Sequence, residues 1–183
     1  MRKFFIIIPI LIFLLIYNWN NLFFFYLNDY KINESNTHKE LDDFLIAWSD
    51  KYYFVKPDLY LRFNSSNQGY YQTNHITILT KPKTFFLNKE FLKAVLAHEF
   101  GHHYVKIKFR MINLSLSQEE VLADLVAIDL VGKDLLINIL NKELEERFVP
   151  EDISEFKKRI ELISSISEEN RKRLLNPKDL DNN

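Results

Sequence analysis

The chain has 183 residues, 47% hydrophobic and 27% charged, which is typical of one globular domain with an appended segment. Its formal net charge of -1 provides no broad basic surface, which argues against nucleic acid as a partner. The absence of cysteine excludes disulfides, thiolate metal sites and a cysteine nucleophile, and three glycines are too few for glycine-rich phosphate loops.

The N-terminal part contains a long uncharged segment. No charged residue occurs between Lys3 and Asp29, and as a helix residues 4–27 would extend about 36 Å, enough to cross a bilayer with tilt. We predict that residues 1–28 form a single membrane anchor, with a cleaved signal peptide and a buried core helix as alternatives. Because Arg2 and Lys3 precede the segment and acidic residues follow it, the positive-inside rule places the N-terminus in the cytoplasm. The rest of the chain is then on the outer side, periplasmic or extracellular.

The remaining residues are predicted to form one α+β domain, mostly helical with a small sheet, over residues 29–175, with a flexible tail at 176–183. Apolar spacing and turn residues predict its first elements in chain order: a helix from Asn36 to about Phe54, a strand at Leu59–Phe63, a turn at Ser65–Gly69 and a strand at Tyr70–Thr80. Since an extended peptide can pair with a free sheet edge, Asn74–Thr80 is a candidate substrate-binding strand.

The second half of the domain is predicted to be helical. Asn88 is expected to cap a helix that ends in basic residues near Lys108. Another helix is predicted from about Ser117 to Val131, and Gly132 fits its C-terminal end. Pro150 separates the last two predicted helices, Asp134–Phe148 and Glu151–Leu175.

Three of the five histidines lie in one short run, His98-Glu99-Phe100-Gly101-His102-His103. On a helix, His98 and His102 lie one turn apart on one face, so both imidazoles can bind one ion, and Zn²⁺ suits such ligands. Glu99 projects close by and is expected to act as general base toward a water activated by the metal. His103 lies about 140° around the helix from His98. We therefore expect it to be a surface or supporting histidine, with transition-state stabilisation as the alternative.

The third protein ligand has to be a carboxylate, because no histidine follows His103. Candidates lie in the run Glu119-Glu120-Val121-Leu122-Ala123-Asp124. Glu120 and Asp124 share a helix face, so one can bind the metal while the other accepts the outer N–H of a ligand histidine. Ser117 and Glu120 also match a capping box, which would tie Glu120 to the helix start and leave Glu119 as the ligand.

Together, His98-Glu99-Phe100-Gly101-His102 and Glu120-Val121-Leu122-Ala123-Asp124 resemble the HExGH…ExxAD signature of gluzincin metallopeptidases. The most similar group is the membrane-embedded family of the HtpX heat-shock protease and the CAAX prenyl protease, over about Ala94–Gly132. The resemblance implies a minimal zincin-like fold with one Zn²⁺ per chain, held by His98, His102 and Glu120. It also implies Glu99 as catalytic base and Asp124 as support for a zinc-binding histidine. The short interval between the two motifs is similar to that of ImmA/IrrE-type regulatory proteases, which lack an N-terminal anchor.

We therefore expect a membrane-anchored zinc endopeptidase that hydrolyses proteins or peptides and contacts the lipid bilayer through residues 4–27. Two alternatives are a non-catalytic, zinc-stabilised binding module tethered to the membrane and a soluble ImmA-like regulatory protease whose apolar N-terminus packs on a partner. Structural zinc has no use for a general base, so the presence of Glu99 favours an enzyme.

Overall fold

The structure, a computed structural model, describes residues 32–64, 66–145 and 149–177, without the side chains of residues 151 and 152. The predicted anchor at residues 1–28 lies outside these ranges, as do residues 178–183 of the predicted tail. Among the described helices, none has the length and apolar character that crossing a bilayer requires.

The described residues form a mostly helical α+β fold with one small sheet, as predicted. After a 3₁₀ turn at Ile32–Glu34, the elements in chain order are α1 (Asn36–Tyr52), β1 (Asp58–Phe63), β2 (Gln68–Gln72), β3 (His75–Thr80), α2 (Pro82–Leu87), α3 (Lys89–Lys108), α4 (Leu116–Val131), α5 (Lys133–Glu145), α6 (Pro150–Ser165) and α7 (Glu168–Leu174). Pro82 occupies the first turn of α2, a short helix that was not predicted from the sequence, where its missing N–H is not needed.

The sheet has the strand order β1-β3-β2, with β1 parallel and β2 antiparallel to β3. Ile76 in β3 is paired with Leu59 on one side and with Tyr71 on the other. The prediction that Asn74–Thr80 offers an edge to substrate is therefore wrong, because both edges of this central strand are already hydrogen-bonded. Within the described chain, β2 is the edge strand that contacts α3.

Strand β2 and strand β3 form a hairpin where the sequence predicted one strand. The chain reverses at Thr73 and Asn74, which both have positive φ angles, 43° and 66°. Asparagine tolerates this left-handed conformation better than most residues, so the turn forms without glycine. The predicted turn at Ser65–Gly69 is also too long, because β2 already begins at Gln68.

The hydrophobic core lies between the sheet and helices α1, α3 and α4. Helix α1 begins after Ser35, whose side chain accepts a hydrogen bond from the His38 N–H, and its apolar side packs on α3. The Trp48 and Phe100 rings are 5.9 Å apart, and Lys93 lies 4.1 Å from the Phe44 ring centre. Because successive turns of the two helices meet in the same order, α1 and α3 run side by side in the same direction.

Helix α3 begins as predicted, with the Asn88 side chain accepting from the Phe91 N–H at 3.1 Å. Buried residues lie on nearly all its sides, since α1, the sheet and α4 all pack on it. Because neighbouring elements pack on nearly all its sides, α3 is held in one orientation, which fixes the direction of its side chains.

The start of α4 differs from the predicted capping box. Ser115, not Ser117, caps the helix, and its reciprocal partner is Gln118. Glu120 is therefore free of the capping role that the sequence assigned to it as an alternative. The helix ends at Gly132 as predicted, with a φ of 88° that glycine adopts without strain.

The predicted last helix, Glu151–Leu175, is two helices. Helix α6 ends at Ser165, and Ser167 starts α7 by accepting a hydrogen bond from the Asn170 N–H at 3.2 Å. A serine capping signal of this kind, without proline or glycine nearby, is easily missed inside a charged amphipathic sequence.

Candidate metal centre

Helices α3 and α4 cross in close contact at Gly101 and Ala123. A β-carbon added to Gly101 would lie 2.7 Å from the Ala123 α-carbon and closer still to its carbonyl oxygen. Only glycine therefore allows the two backbones to touch here. Because the helices are antiparallel, this contact places His98 opposite Asp124 and His102 opposite Glu120.

The side chains of His98, His102 and Glu120 meet at one point. The two Nε2 atoms are 3.2 Å apart, and the Glu120 oxygens lie 3.4 Å from His98 Nε2 and 3.3 Å from His102 Nε2. Ligand atoms around a tetrahedral ion with bonds of 2.0–2.1 Å are separated by about 3.3–3.4 Å. Among the described residues, these three side chains form the group that could hold a metal ion.

Two further carboxylates orient the imidazole rings. His98 Nδ1 lies 2.8 Å from Asp124 Oδ1, and His102 Nδ1 lies 3.2 Å from Glu119 Oε1. When each Nδ1–H donates to its carboxylate, the Nε2 lone pairs point toward the shared site, which is the tautomer that binds a metal. Asp124 thus lies beside the outer nitrogen of His98, the position predicted for it. Glu119 contacts the outer nitrogen of His102 and is not in the three-residue group.

Arg159 of α6 holds the carboxylates of this centre in place. Its Nε and Nη2 donate to the two Asp124 oxygens at 2.8 and 2.9 Å, and its Nη1 lies 3.0 Å from Glu120 Oε2. Arg159 is only 6% exposed and Asp124 is fully buried. The guanidinium compensates two acidic groups that would otherwise repel each other in a poorly hydrated site.

Arg159 was not predicted from the sequence, although a signal for it exists. Phe156, Arg159 and Ile163 lie on the buried face of α6, with spacings of three and four residues. A cation at an apolar-face position is usually paired, so this pattern indicates a buried acidic partner without naming it.

Glu99 lies under the backbone of β2. It is only 5% exposed, and a β-carbon added to Gly69 would lie 2.6 Å from Glu99 Oε1 and 2.8 Å from Val95 Cγ1. Burial raises the pKa of Glu99, although the neighbouring histidines His98 and His102 oppose the shift. Gly69 was predicted to lie in a turn, but it belongs to β2 and makes room for this carboxylate.

Replacing Gly69 by alanine is therefore expected to displace the Glu99 carboxylate. The pKa of Glu99 should then move back toward its ordinary value, because the displaced carboxylate is less buried. Metal content should not change, since none of the three clustered side chains is touched. Metal analysis together with an NMR titration of the Glu99 carboxyl group checks both results, and an unchanged pKa would contradict the displacement expected from this contact.

His103 faces away from the metal centre. It is buried rather than at the surface, with Nε2 3.0 Å from the Val55 carbonyl oxygen and Nδ1 3.1 Å from the Tyr71 hydroxyl oxygen. The carbonyl needs a donor, so Nε2 carries the proton and Nδ1 accepts from Tyr71. Burial lowers the pKa of His103, which favours this neutral form. His103 therefore ties α3 to β2 and does not bind the metal.

The metal centre opens into a cavity of about 580 Å³. His98, Glu99, His102, Glu120 and Arg159 line one part of it, and β2 borders it at Gln68–Tyr71. An apolar wall is formed by Val95, Leu136, Ile139, Leu140 and Phe156. This size lies within the range of about 300–1,000 Å³ that is usual for ligand pockets.

Acidic neighbours favour the protonated form of His98 when no metal is bound. Burial disfavours the charged form of His98, but the charge and hydrogen bond of Asp124 and the hydrogen bond of Glu120 outweigh it and raise its pKa to about 10. Hydrogen bonds from His102 and His98 overcome the effect of burial on Glu120 and hold its pKa well below the usual range. A metal ion must therefore displace a proton from His98, while Glu120 is already ionised.

Metal affinity is accordingly expected to increase with pH. Because one proton leaves per metal bound, the association constant should rise about tenfold per pH unit between about pH 6 and 8. Competition with a chromophoric chelator at several pH values measures this slope. An affinity independent of pH would mean that His98 is already neutral in the metal-free protein.

Comparison of the chain with families of known proteins, with curated proteins and with solved structures finds no match in any of the three.

Proposed function

We propose that the protein is a zinc-dependent endopeptidase with a minimal zincin-like domain. The observation that carries this proposal is the buried Glu99 carboxylate next to a three-residue ligand group at the side of an open cavity. Two imidazoles and one carboxylate at tetrahedral spacing are the ligand set of many catalytic zinc sites, which keep one position open. A site that only stabilises the fold is usually closed by four protein ligands.

Each residue of the site then has a separate task. Zn²⁺ held by His98, His102 and Glu120 would supply a Lewis acid that polarises the scissile carbonyl and increases the acidity of water. Glu99 accepts a proton from the attacking water and passes it to the amide nitrogen that leaves. Burial favours this transfer, because it brings the pKa of Glu99 upward toward the working pH.

The free edge of β2 is suited to bind the substrate in an extended conformation. It borders the cavity beside Glu99, and its outer backbone groups have no partner strand in the described chain. Main-chain hydrogen bonds along this edge would hold a peptide independently of its sequence. The apolar wall opposite would accept a large aliphatic or aromatic side chain.

We further propose that residues 4–27 anchor the enzyme in a membrane, with the N-terminus in the cytoplasm and the catalytic domain on the outer side. The support is the uncharged apolar sequence and the basic residues before it. Protein substrates would then be those that lie at or near the bilayer.

The full chain, purified in detergent, allows a direct test of the enzymatic proposal. After removal of metal with a chelator, stepwise addition of Zn²⁺ should restore cleavage of an unfolded fluorescent protein in proportion to the zinc bound. Metal content is measured on the same samples. A wild-type protein that carries one zinc per chain and cleaves no test protein would contradict the proposal and favour the non-catalytic binding module.

Neighbouring glutamates provide a matched pair of variants for the metal ligand. Glu120→Gln should lose stoichiometric zinc, because it removes the one anionic ligand. Glu119→Gln should keep zinc with an affinity about 10–100-fold weaker, since it weakens the hydrogen bond to His102 and the ion pair with Lys106 but leaves the three clustered side chains intact. Zinc competition assays on both variants measure the difference, and the opposite order would make Glu119 the ligand.

A further inference from the structure

Exposed apolar side chains gather where α3 ends and α4 begins. The three most exposed large apolar residues of the described chain are Tyr53 at 96%, Met111 at 88% and Leu116 at 84%, and Val55 and Ile107 are exposed nearby. Single exposed apolar residues are common, but a group of five is not. Their grouping therefore needs an explanation.

Contacts and chain position place these five residues around the end of α3. The Val55 carbonyl is hydrogen-bonded to His103, and Ile107 lies one helical turn after His103. Met111 lies in the turn that follows α3, and Leu116 is one of the residues that line the cavity. The surface thus extends from the segment after α1, across the end of α3, to the entrance of the metal site.

Cations alternate with these apolar residues. Lys106, Lys108 and Arg110 are exposed, and no acidic residue occurs between Glu99 and Glu119. Lys108 lies 5.3 Å from the Phe54 ring centre, which places its charge beside Tyr53 and Val55. Acidic groups at its border are already paired: Glu119 Oε1 lies 3.2 Å from His102 Nδ1 and 3.7 Å from Lys106 Nζ, and Asp129 accepts hydrogen bonds from Lys51 and Tyr52.

The segment that carries the surface is held from inside. Phe109 is almost fully buried and packs against Tyr104, while Ile112 and Leu114 pack against the core. These buried apolar residues therefore hold the segment after α3 in place, and the exposed apolar residues project from it into solvent.

We propose that residues 106–116, together with Tyr53 and Val55, form a surface that docks on an anionic lipid bilayer. Apolar side chains alone would suit a protein partner equally well. The interleaved cations favour lipid, because lysine and arginine reach anionic headgroups while leucine, methionine and tyrosine enter the boundary between headgroups and acyl chains. Docking here would bring the cavity mouth to the membrane surface. The proposal does not depend on the metal or on catalysis.

The absence of natural cysteines allows a clean test with the full chain. Met111→Cys, which changes an almost fully exposed residue, is labelled with a polarity-sensitive fluorophore. Glu161→Cys on the exposed side of α6 is the matched control. Both are reconstituted in phosphatidylcholine vesicles with and without phosphatidylglycerol. The probe at position 111 should shift to shorter wavelength only with phosphatidylglycerol, and the control probe should not shift.

Neutralising two cations tests the role of charge. Each cation near an anionic surface contributes about fivefold to docking, so Lys108→Gln with Arg110→Gln should reduce the docked fraction roughly 25-fold and high salt should do the same. No shift at position 111 with phosphatidylglycerol would overturn the proposal. An equal shift in both vesicle types would also overturn it, as would a lipid-independent shift that grows with protein concentration, which would indicate contact between two copies of the chain.

Discussion

Replacing Glu99 by glutamine is expected to reduce peptide hydrolysis by about a hundredfold to ten-thousandfold, the range for loss of a general base. Glutamine has the same shape and fits under Gly69, but it cannot accept the proton of the attacking water. Because Glu99 is not one of the three clustered ligands, zinc content should stay at one per chain. Initial rates on an unfolded test protein, with metal analysis of the same sample, measure both effects.

Glu90→Gln is the matched control for this variant. Glu90 is an exposed glutamate in the first turn of the same helix, so the chemical change is identical and the site is not touched. Loss of this charge should lower the free energy of unfolding by at most a few tenths of a kcal/mol, because the charge no longer interacts with the helix dipole. The rate of hydrolysis should not change. A Glu99→Gln protein that is as active as wild type would remove Glu99 from the mechanism.

Replacing Gly101 by alanine is expected to weaken metal binding strongly. In an unhindered helix this change stabilises by about 1 kcal/mol. Here the added methyl group meets the Ala123 backbone, which cannot rotate away as a side chain could. Helices α3 and α4 must separate, at a cost of about 1–3 kcal/mol, and Glu120 moves away from the two histidines.

Thermal unfolding with and without zinc tests this prediction. Wild type should be stabilised by added zinc, because the metal binds the folded state, whereas Gly101→Ala should unfold at a lower temperature and respond weakly to zinc. Gly69→Ala is the comparison, since the same substitution there should retain the zinc response. If Gly101→Ala is more stable than wild type and binds zinc normally, the close helix crossing does not hold the site.

Local signals in the sequence were sufficient to predict that the two histidines share one face of a helix and where that helix begins and ends. Their four-residue spacing, the Asn88 cap and the basic C-terminal turn are all properties of one continuous segment. The α+β class followed in the same way from alternating and helical patterns. What a short segment specifies by itself could therefore be predicted.

Features that depend on distant contacts could not be predicted with the same success. The sequence left Glu119 and Glu120 open, because the choice depends on where α4 begins, and Ser115 and Ser117 are equally good caps. The sheet order, which gives the free edge to β2 rather than β3, depends on β1 entering beside β3. Arg159 lies in a run of three cations, and only the packing of α6 decides which of them faces inward.

The contact between Arg159 and Asp124 also sets the order in which the centre can be completed. Asp124 precedes Arg159 by 35 residues, so a growing polypeptide carries both histidines and both acids well before their counter-ion has been translated. Until α6 docks, the negative charges of Asp124 and Glu120 lack the guanidinium that balances them. A nascent chain on the ribosome therefore cannot yet assemble the charge-balanced cluster, which is completed only after most of the polypeptide has been made.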